Sequence, residues 1–202
     1  MVSPELLARF GLLVERRFFG AAECARLSAD MATTKGSPAT VHEVDGRFAI
    51  DPEVRRTRVA SVSGESMELI HAGFAALRPR VERHFGVALR AWQPPQFLVY
   101  GAGDHYDPHT DNATDLRAAA FLRARKISVV LFLNDRAEAP GPDVYGGGAL
   151  TLWGLFGDSR LQGRGLPVSG EAGVLIAFPS DVTHEVEMVT HGVRYTVVSW
   201  FV

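Results

Sequence analysis

The chain has 202 residues, 47% of them hydrophobic, which is enough for one well-filled core and short for two. Its 21 basic residues are balanced by 23 acids for a formal net charge of −2, which removes any electrostatic case for nucleic acid or an anionic membrane. A single cysteine, Cys24, excludes an internal disulfide and any multi-cysteine zinc site.

Near the start, "FGLLV" is too short for a signal peptide and runs into Glu15, Arg16 and Arg17. No apolar run reaches membrane-spanning length, so a soluble, cytoplasmic protein is the expectation. "LLVERRFF" reads as extended. Gly20 then opens "AAECARLSADMATT", a helix with Ala22, Cys24, Leu27 and Met31 at helical spacing and Cys24 as a buried, inert thiol. A polar, turn-rich stretch follows, in which "EVDGRF" reads as a hairpin on its Asp-Gly turn. From Glu65 to Phe85 the residues Leu69, Ile70, Phe74, Leu77, Val81 and Phe85 mark one face of a helix, kinked or split at Pro79. The basic runs "RVERHF" and "RARK" read as solvated faces.

After Trp92 the texture changes to short β runs between glycine-rich turns: "QFLVYG", "KISVVLFLN", "GGALTLWG", "GVLIAFPS", "HEVEMV" and "VRYTVVSWFV". The prediction is one α+β domain with a barrel, sandwich or jelly-roll core. Residues 1–92 give helical support and a substrate-covering loop; residues 93–202 form the β core. "YGGGA" reads as a tight turn entering a strand, since it lacks the Lys-Ser/Thr and helix of a phosphate loop. "GDSRLQGRG" reads as a hairpin insertion on the rim.

The chemistry gathers in two places. In "HYDPHTDNA", His109 and Asp111 are two apart, so on an extended segment both leave one face. Downstream, "HEVEMV", the loop "THG" and "VRYTVVSWF" read as a hairpin with Gly192 left-handed. That register opposes Met188 and Arg194 and puts His184, Val186, Met188, Arg194, Thr196, Val198 and Trp200 on one face. Arg194 then lies roughly 13 Å along the sheet from the position opposite His184, at ~3.3 Å per residue. The space suits a five-carbon diacid held by a metal at one end and a guanidinium at the other; a two-residue turn would put Arg194 on the wrong face. Two histidines and one carboxylate with three open positions form the facial triad of non-haem iron(II) oxygenases. His105 is expected to flank this site, His191 to be solvated at the hairpin tip, and His42, His71 and His84 to be structural or exposed.

The segment from about Gln96 onward resembles the catalytic core of the prolyl-4-hydroxylase-like 2-oxoglutarate/iron(II) dioxygenases, including the bacterial PKHD type. "YGAGDHYDPHTDNA", "VVLFLND", "GGALTL" and "AFPSDVTHEVEMVTHGVRYTVVSW" follow that family's order, and "FFGAAECARL" is similar to its N-terminal entry. The resemblance implies a double-stranded β-helix (a cupin-like jelly roll) with supporting helices. It implies His109, Asp111 and His184 as iron ligands and Arg194 on the distal carboxylate of 2-oxoglutarate. Tyr100 lies near the cosubstrate, and Tyr106, Leu150 and Trp200 line the pocket. Asn112, Arg55 and Arg58 are substrate candidates. Relatives that halogenate replace the carboxylate ligand, so an intact Asp111 implies hydroxylation. Where some relatives carry a second tyrosine, this chain has Leu131 and Phe132, and Ser128 or Thr196 stands as the replacement hydroxyl.

The implied cofactors are iron(II), 2-oxoglutarate and dioxygen, with ascorbate as activator. The implied substrate is an amino acid, free or in a peptide, with prolyl residues one candidate and a small natural product the alternative. A non-enzymatic metal-binding jelly roll or sensor and a zinc hydrolase remain as rivals, and the oligomeric state is open.

Overall fold

The protein is described from a computed structural model over residues 4–42, 48–156, 163–168 and 170–202. The expected hairpin at "EVDGRF" and most of the expected insertion at "GDSRLQGRG" lie outside these residues. The first half runs α1 (Pro4–Arg9), β1 (Leu13–Glu15), α2 (Ala21–Ala32), β2 (Ser37–Pro38), β3 (Val41–His42), β4 (Phe48–Ala49), β5 (Arg55–Arg56), β6 (Arg58–Ala60) and α3 (Gly64–Phe85). The second half runs β7 (Gln96–Tyr100), β8 (His105–His109), α4 (Ala120–Arg123), β9 (Ile127–Phe132), β10 (Asp135–Arg136), β11 (Val144–Gly147) and β12 (Leu150–Leu152). It ends with β13 (Leu166–Val168), β14 (Leu175–Pro179), β15 (His184–Val186), β16 (Val189–Gly192) and β17 (Arg194–Phe201). No described helix is long and apolar enough to cross a membrane.

Two sheets make the double-stranded β-helix. The larger is ordered β1-β14-β9-β17-β7-β6-β2 and the smaller β13-β12-β15-β8-β5, with β10-β11-β16 and the β3-β4 pair beside them. The long strands of the large sheet divide their side chains by parity, as strands must. On β17, Arg194, Thr196, Val198 and Trp200 face a cavity between the sheets. Val197 and Phe201 pack the other way, with Phe97 and Val99, against α2 and α3. The helices contribute Cys24, Leu27 and Met31 from α2 and Ile70, Phe74, Leu77 and Val81 from α3. Ala22, expected on the buried face of α2, is exposed. Cys24 is a buried free thiol, pushed up to about 11 by burial, as its apolar setting implies.

α3 starts where Ser63 accepts the Ser66 amide and donates its own hydroxyl to Asp30 of α2. It is one helix rather than two at Pro79. The apolar stripe stays in phase through that residue, and Pro79 is exposed, so the carbonyl it leaves without a donor can reach water. Residues 55–60 serve both sheets: β5 pairs with β8 and β6 with β7, with the Thr57 hydroxyl donating to the Val99 carbonyl at the changeover.

The expected hairpin between residues 184–189 and 193–198 does not form. β15 pairs with β12 and β8, β16 with β11, and β17 with β7 and β9, so three strands consecutive in sequence enter three different sheets. Met188, predicted to share the inner face, is 57% exposed where the chain crosses over. Gly192 does take the left-handed conformation, at φ 69°, and the position requires glycine because a Cβ there would also strike the Val144 carbonyl. His191, expected to be solvated, is only partly exposed: it lies over Gly146 with Nε2 buried.

Candidate metal centre

β8 and β15 run antiparallel with His109 directly opposite His184. Each imidazole has its Nδ1 beside a backbone carbonyl, Asp107 O at 2.8 Å for His109 and Val182 O at 2.9 Å for His184. A carbonyl only accepts, so each Nδ1 carries the hydrogen and each Nε2 presents a lone pair. Asp111 follows the end of β8. Its amide donates to the Ser180 carbonyl (2.9 Å) and its Oδ2 accepts the Ser128 hydroxyl (2.6 Å), which also meets Ser180 Oγ at 2.9 Å.

Asp111 stands 3.4 Å from His184 Nε2 and 4.0 Å from His109 Nε2, and one ligand atom from each of the three side chains falls within 4.8 Å of the others. Donors at about 2.0–2.2 Å around one ion stand roughly 3–4 Å apart, so the spacing fits a single cation. Burial, and then the facing His184, push His109 down to about 3, which keeps it a neutral ligand. Burial alone would raise the Asp111 carboxyl. The facing imidazoles and the Ser128 hydrogen bond outweigh it and hold the group below the usual carboxylate range.

The triad opens onto a cavity of about 980 Å³, and Arg194 sits on its far wall, 1% exposed. Its Nη1 donates to Thr196 Oγ1 (3.2 Å), while Nε and Nη2 are buried without a partner. Its Cζ lies 5.1 Å from the Tyr100 ring centre and 5.3 Å from that of Phe132. No carboxylate is paired with it among the described residues. A buried guanidinium with idle donors is costly unless an anion reaches it, and a carboxylate fits that fork.

Of the other residues singled out from sequence, Tyr100, Tyr106, Asn112, Leu150, Thr196, Trp200 and Arg55 all line the cavity. Tyr106 stacks on His109, centroids 3.5 Å apart. Ser128 is not among the residues lining the cavity; its hydroxyl stands behind Asp111. Arg58 is on the opposite side of the large sheet. It pairs with outward-facing Val99 while Val59 takes the cavity side, and its Nη1 donates to the Thr34 carbonyl at 2.7 Å. His105 is held by the Glu53 carbonyl (3.0 Å) and stays off the triad. His71 accepts from Trp92 Nε1 and His84 packs edge-on to Phe85, both away from the cavity.

Two residues escaped the sequence reading. Arg125, within the run read as a solvated face, is half-buried on the cavity wall, its Cζ 3.5 Å from the Trp200 ring centre. Tyr145 packs beside Arg194 with its hydroxyl buried and without an acceptor; burial pushes its phenol up and Arg194 opposes that. A buried hydroxyl beside Arg194 thus comes from β11. The tyrosine heading the glycine run "YGGG" was its only trace in sequence.

A model of the 2OG-Fe(II) oxygenase superfamily matches residues 95–202. A PKHD-type hydroxylase of Rhizorhabdus wittichii is 35% identical over 108 residues, covering 53% of this chain and 42% of the relative. Another, from Thermosynechococcus vestitus, is 38% identical over 107 residues, with the same two shares. The matched part thus spans less than half the length of these curated relatives. Among solved structures, a Pseudomonas putida prolyl-4-hydroxylase superposes with TM-score 0.69 at 22% identity, over 98% of this chain and 95% of that one. A prolyl hydroxylase from Trichoplax adhaerens, in complex with a hypoxia-inducible-factor oxygen degradation domain peptide fragment, gives 0.71 at 17% identity, over 99% and 87%. At these identities the structural likeness speaks to the fold.

Proposed function

The chain belongs to the 2OG-Fe(II) oxygenase superfamily, and from that premise we propose that it is an iron(II)- and 2-oxoglutarate-dependent hydroxylase of an amino acid, free or within a peptide, with prolyl residues one candidate. The observation that carries this reading is the pairing, across one cavity, of the His109–Asp111–His184 triad with a buried Arg194 that has no carboxylate partner among the described residues. A metal module alone has no use for that arginine.

Bound iron(II), with 2-oxoglutarate and dioxygen, supplies oxidative decarboxylation to succinate and carbon dioxide coupled to hydroxylation of an unactivated C–H bond. The chain's own part is geometric and electrostatic. Two neutral imidazoles and one carboxylate leave a divalent ion with net positive charge, which favours an anionic cosubstrate. Arg194 Nε and Nη2 take the cosubstrate's far carboxylate, with Thr196 fixing the guanidinium and the Tyr145 hydroxyl beside it. Leu150, Val186 and Val198 line the cavity and limit water around the reacting centre.

The test is succinate release from 2-oxoglutarate with iron(II) and ascorbate, across free amino acids and proline-containing peptides, alongside anaerobic titration for the weak visible iron-to-2-oxoglutarate absorption band. The band, and succinate formation stimulated by one substrate class, are expected. Iron binding with neither band nor succinate overturns the reading in favour of a metal-binding module.

A further inference from the structure

A charged side chain removed from water is ordinarily paired with an opposite charge. The chain follows this rule at Glu15, a buried carboxylate met by Arg80 at 2.6 Å. Two arginines on the cavity wall do not follow it. Arg55 is 9% exposed; its Nη1 donates to the Thr40 carbonyl (2.9 Å) and its Nε is buried without a partner. Arg125 donates from Nε to Gln93 Oε1 (2.8 Å) and from Nη1 to the Asp111 carbonyl (3.2 Å). Every one of these acceptors is neutral. Among the described residues neither guanidinium forms an ion pair.

Their placement is specific. The Arg55 Cζ lies 4.5 Å from the Tyr106 ring centre, and Tyr106 stacks directly on His109. Arg125 has its Cζ 3.5 Å from the Trp200 ring centre and donates to the backbone carbonyl of Asp111. Both therefore stand one side chain away from the triad, on the same cavity. Burial above all, with the nearby Arg55 charge, pushes Arg125 down to about 10 against the opposing pull of Asp111. Of the acids on that wall, Asp111 favours the charge on Arg125 but is a ligand of the triad, Asp115 is engaged by Arg117, and Asp181 is exposed. Cation–π attraction to a ring holds each guanidinium in place and leaves its remaining donors to hydrogen-bond. Over the same cavity Phe48 and Phe121 stack at 5.8 Å, offering apolar surface beside the two cations.

Resting on the oxygenase reading above, we propose that the substrate carries a free carboxylate gripped by Arg55 and Arg125, so that the cavity selects acids over their neutral counterparts. The carboxylate is either the α-carboxylate of a free amino acid or an acidic side chain of a peptide. Arg194 serves the cosubstrate; this second pair of guanidiniums serves the substrate.

The experiment is anaerobic calorimetric titration of protein loaded with iron(II) and saturated with 2-oxoglutarate. The panel comprises free amino acids, their α-carboxamides, and terminally blocked peptides with and without Asp or Glu. Expected is an acid that binds about tenfold or more tightly than its amide, the scale of a charge-assisted hydrogen bond. That ratio should collapse toward one in Arg55→Gln and Arg125→Gln and survive in part in Arg125→Lys. A merely structural loss lowers acid and amide alike and leaves the ratio intact. Preference for blocked acidic peptides assigns the carboxylate to a side chain; preference for free amino acids assigns it to the α-position. An amide as good as its acid, a ratio unmoved in both glutamine variants, or no binding across the panel overturns the proposal. If the iron–2-oxoglutarate band is absent the oxygenase reading fails separately, and the same titration of the metal-free protein still decides between acid and amide.

Discussion

His109 and His184 are direct cross-strand partners, their ring centres 4.2 Å apart, and each ring is anchored through Nδ1 to the carbonyl two residues before it. The same local device, used on strands from distant parts of the chain, aims both Nε2 atoms at Asp111. Outer hydrogen bonds of this kind fix tautomer and orientation before any metal arrives.

His109→Ala and His184→Ala should each lower iron(II) affinity by at least about 100-fold, beyond the ~10–100-fold that loss of an outer hydrogen bond costs. Anaerobic competition with a chelator measures it. Wild-type affinity in either variant would remove these residues from the metal site.

Ser128 is a finer probe, because its hydroxyl donates to Asp111 Oδ2 at 2.6 Å from outside the cavity lining, with Ser180 Oγ its other neighbour. Ser128→Ala should weaken iron binding about tenfold while leaving KM for 2-oxoglutarate close to wild type. A large rise in that KM with unchanged iron affinity would instead return Ser128 to the cosubstrate.

The metal-free protein should lose stability on acidification in a defined window. In the fold His109 is held neutral down to about 3, whereas its ordinary value is 6.5. Between those values the unfolded chain binds a proton that the folded chain refuses, so stability is intact above about pH 6.5 and falls as pH drops through the window. Asp111, held below the usual carboxylate range, adds a loss at lower pH: its contribution is present above the ordinary Asp value and disappears as the carboxyl protonates. Thermal midpoints between about pH 7 and about pH 5 should fall in wild type and fall less in His109→Gln. Equal slopes would mean that His109 is not the group responsible.

Period and parity were legible in the sequence; pairing was not. The 194, 196, 198, 200 face of β17 was read correctly because alternation is a property of one strand. Its supposed partner was wrong because a β-helix sends consecutive strands into different sheets, and nothing local announces the crossing near Met188. Arg55 and Arg58 are three residues apart, so alternation alone puts the first on the cavity and the second outside it; what left no local trace is the changeover from β5 to β6 between them. Arg125 was misjudged because its burial depends on Trp200 and Gln93, 75 and 32 residues away in sequence.

The remaining prediction concerns the far end of the cavity. Arg194 has two idle donor atoms there and Tyr145 brings an unpaired hydroxyl alongside, so removing either should act on cosubstrate binding rather than on iron. Arg194→Ala removes the guanidinium and should raise KM for 2-oxoglutarate about 100-fold; Tyr145→Phe removes only one neutral hydrogen bond and should raise it less than about tenfold. Gly148 tests the packing between them. Its φ is +57°, and a Cβ there would meet Val189 Cγ2 at 3.0 Å, Arg194 Cδ at 3.1 Å and Tyr145 Cε2 at 3.2 Å. Gly148→Ala must therefore strain the backbone and displace one of these side chains. It should raise the same KM while chelator competition reports wild-type iron affinity. If it weakens iron binding and cosubstrate binding equally, the two ends of the cavity are not built independently, and the separation of roles between the triad and Arg194 fails.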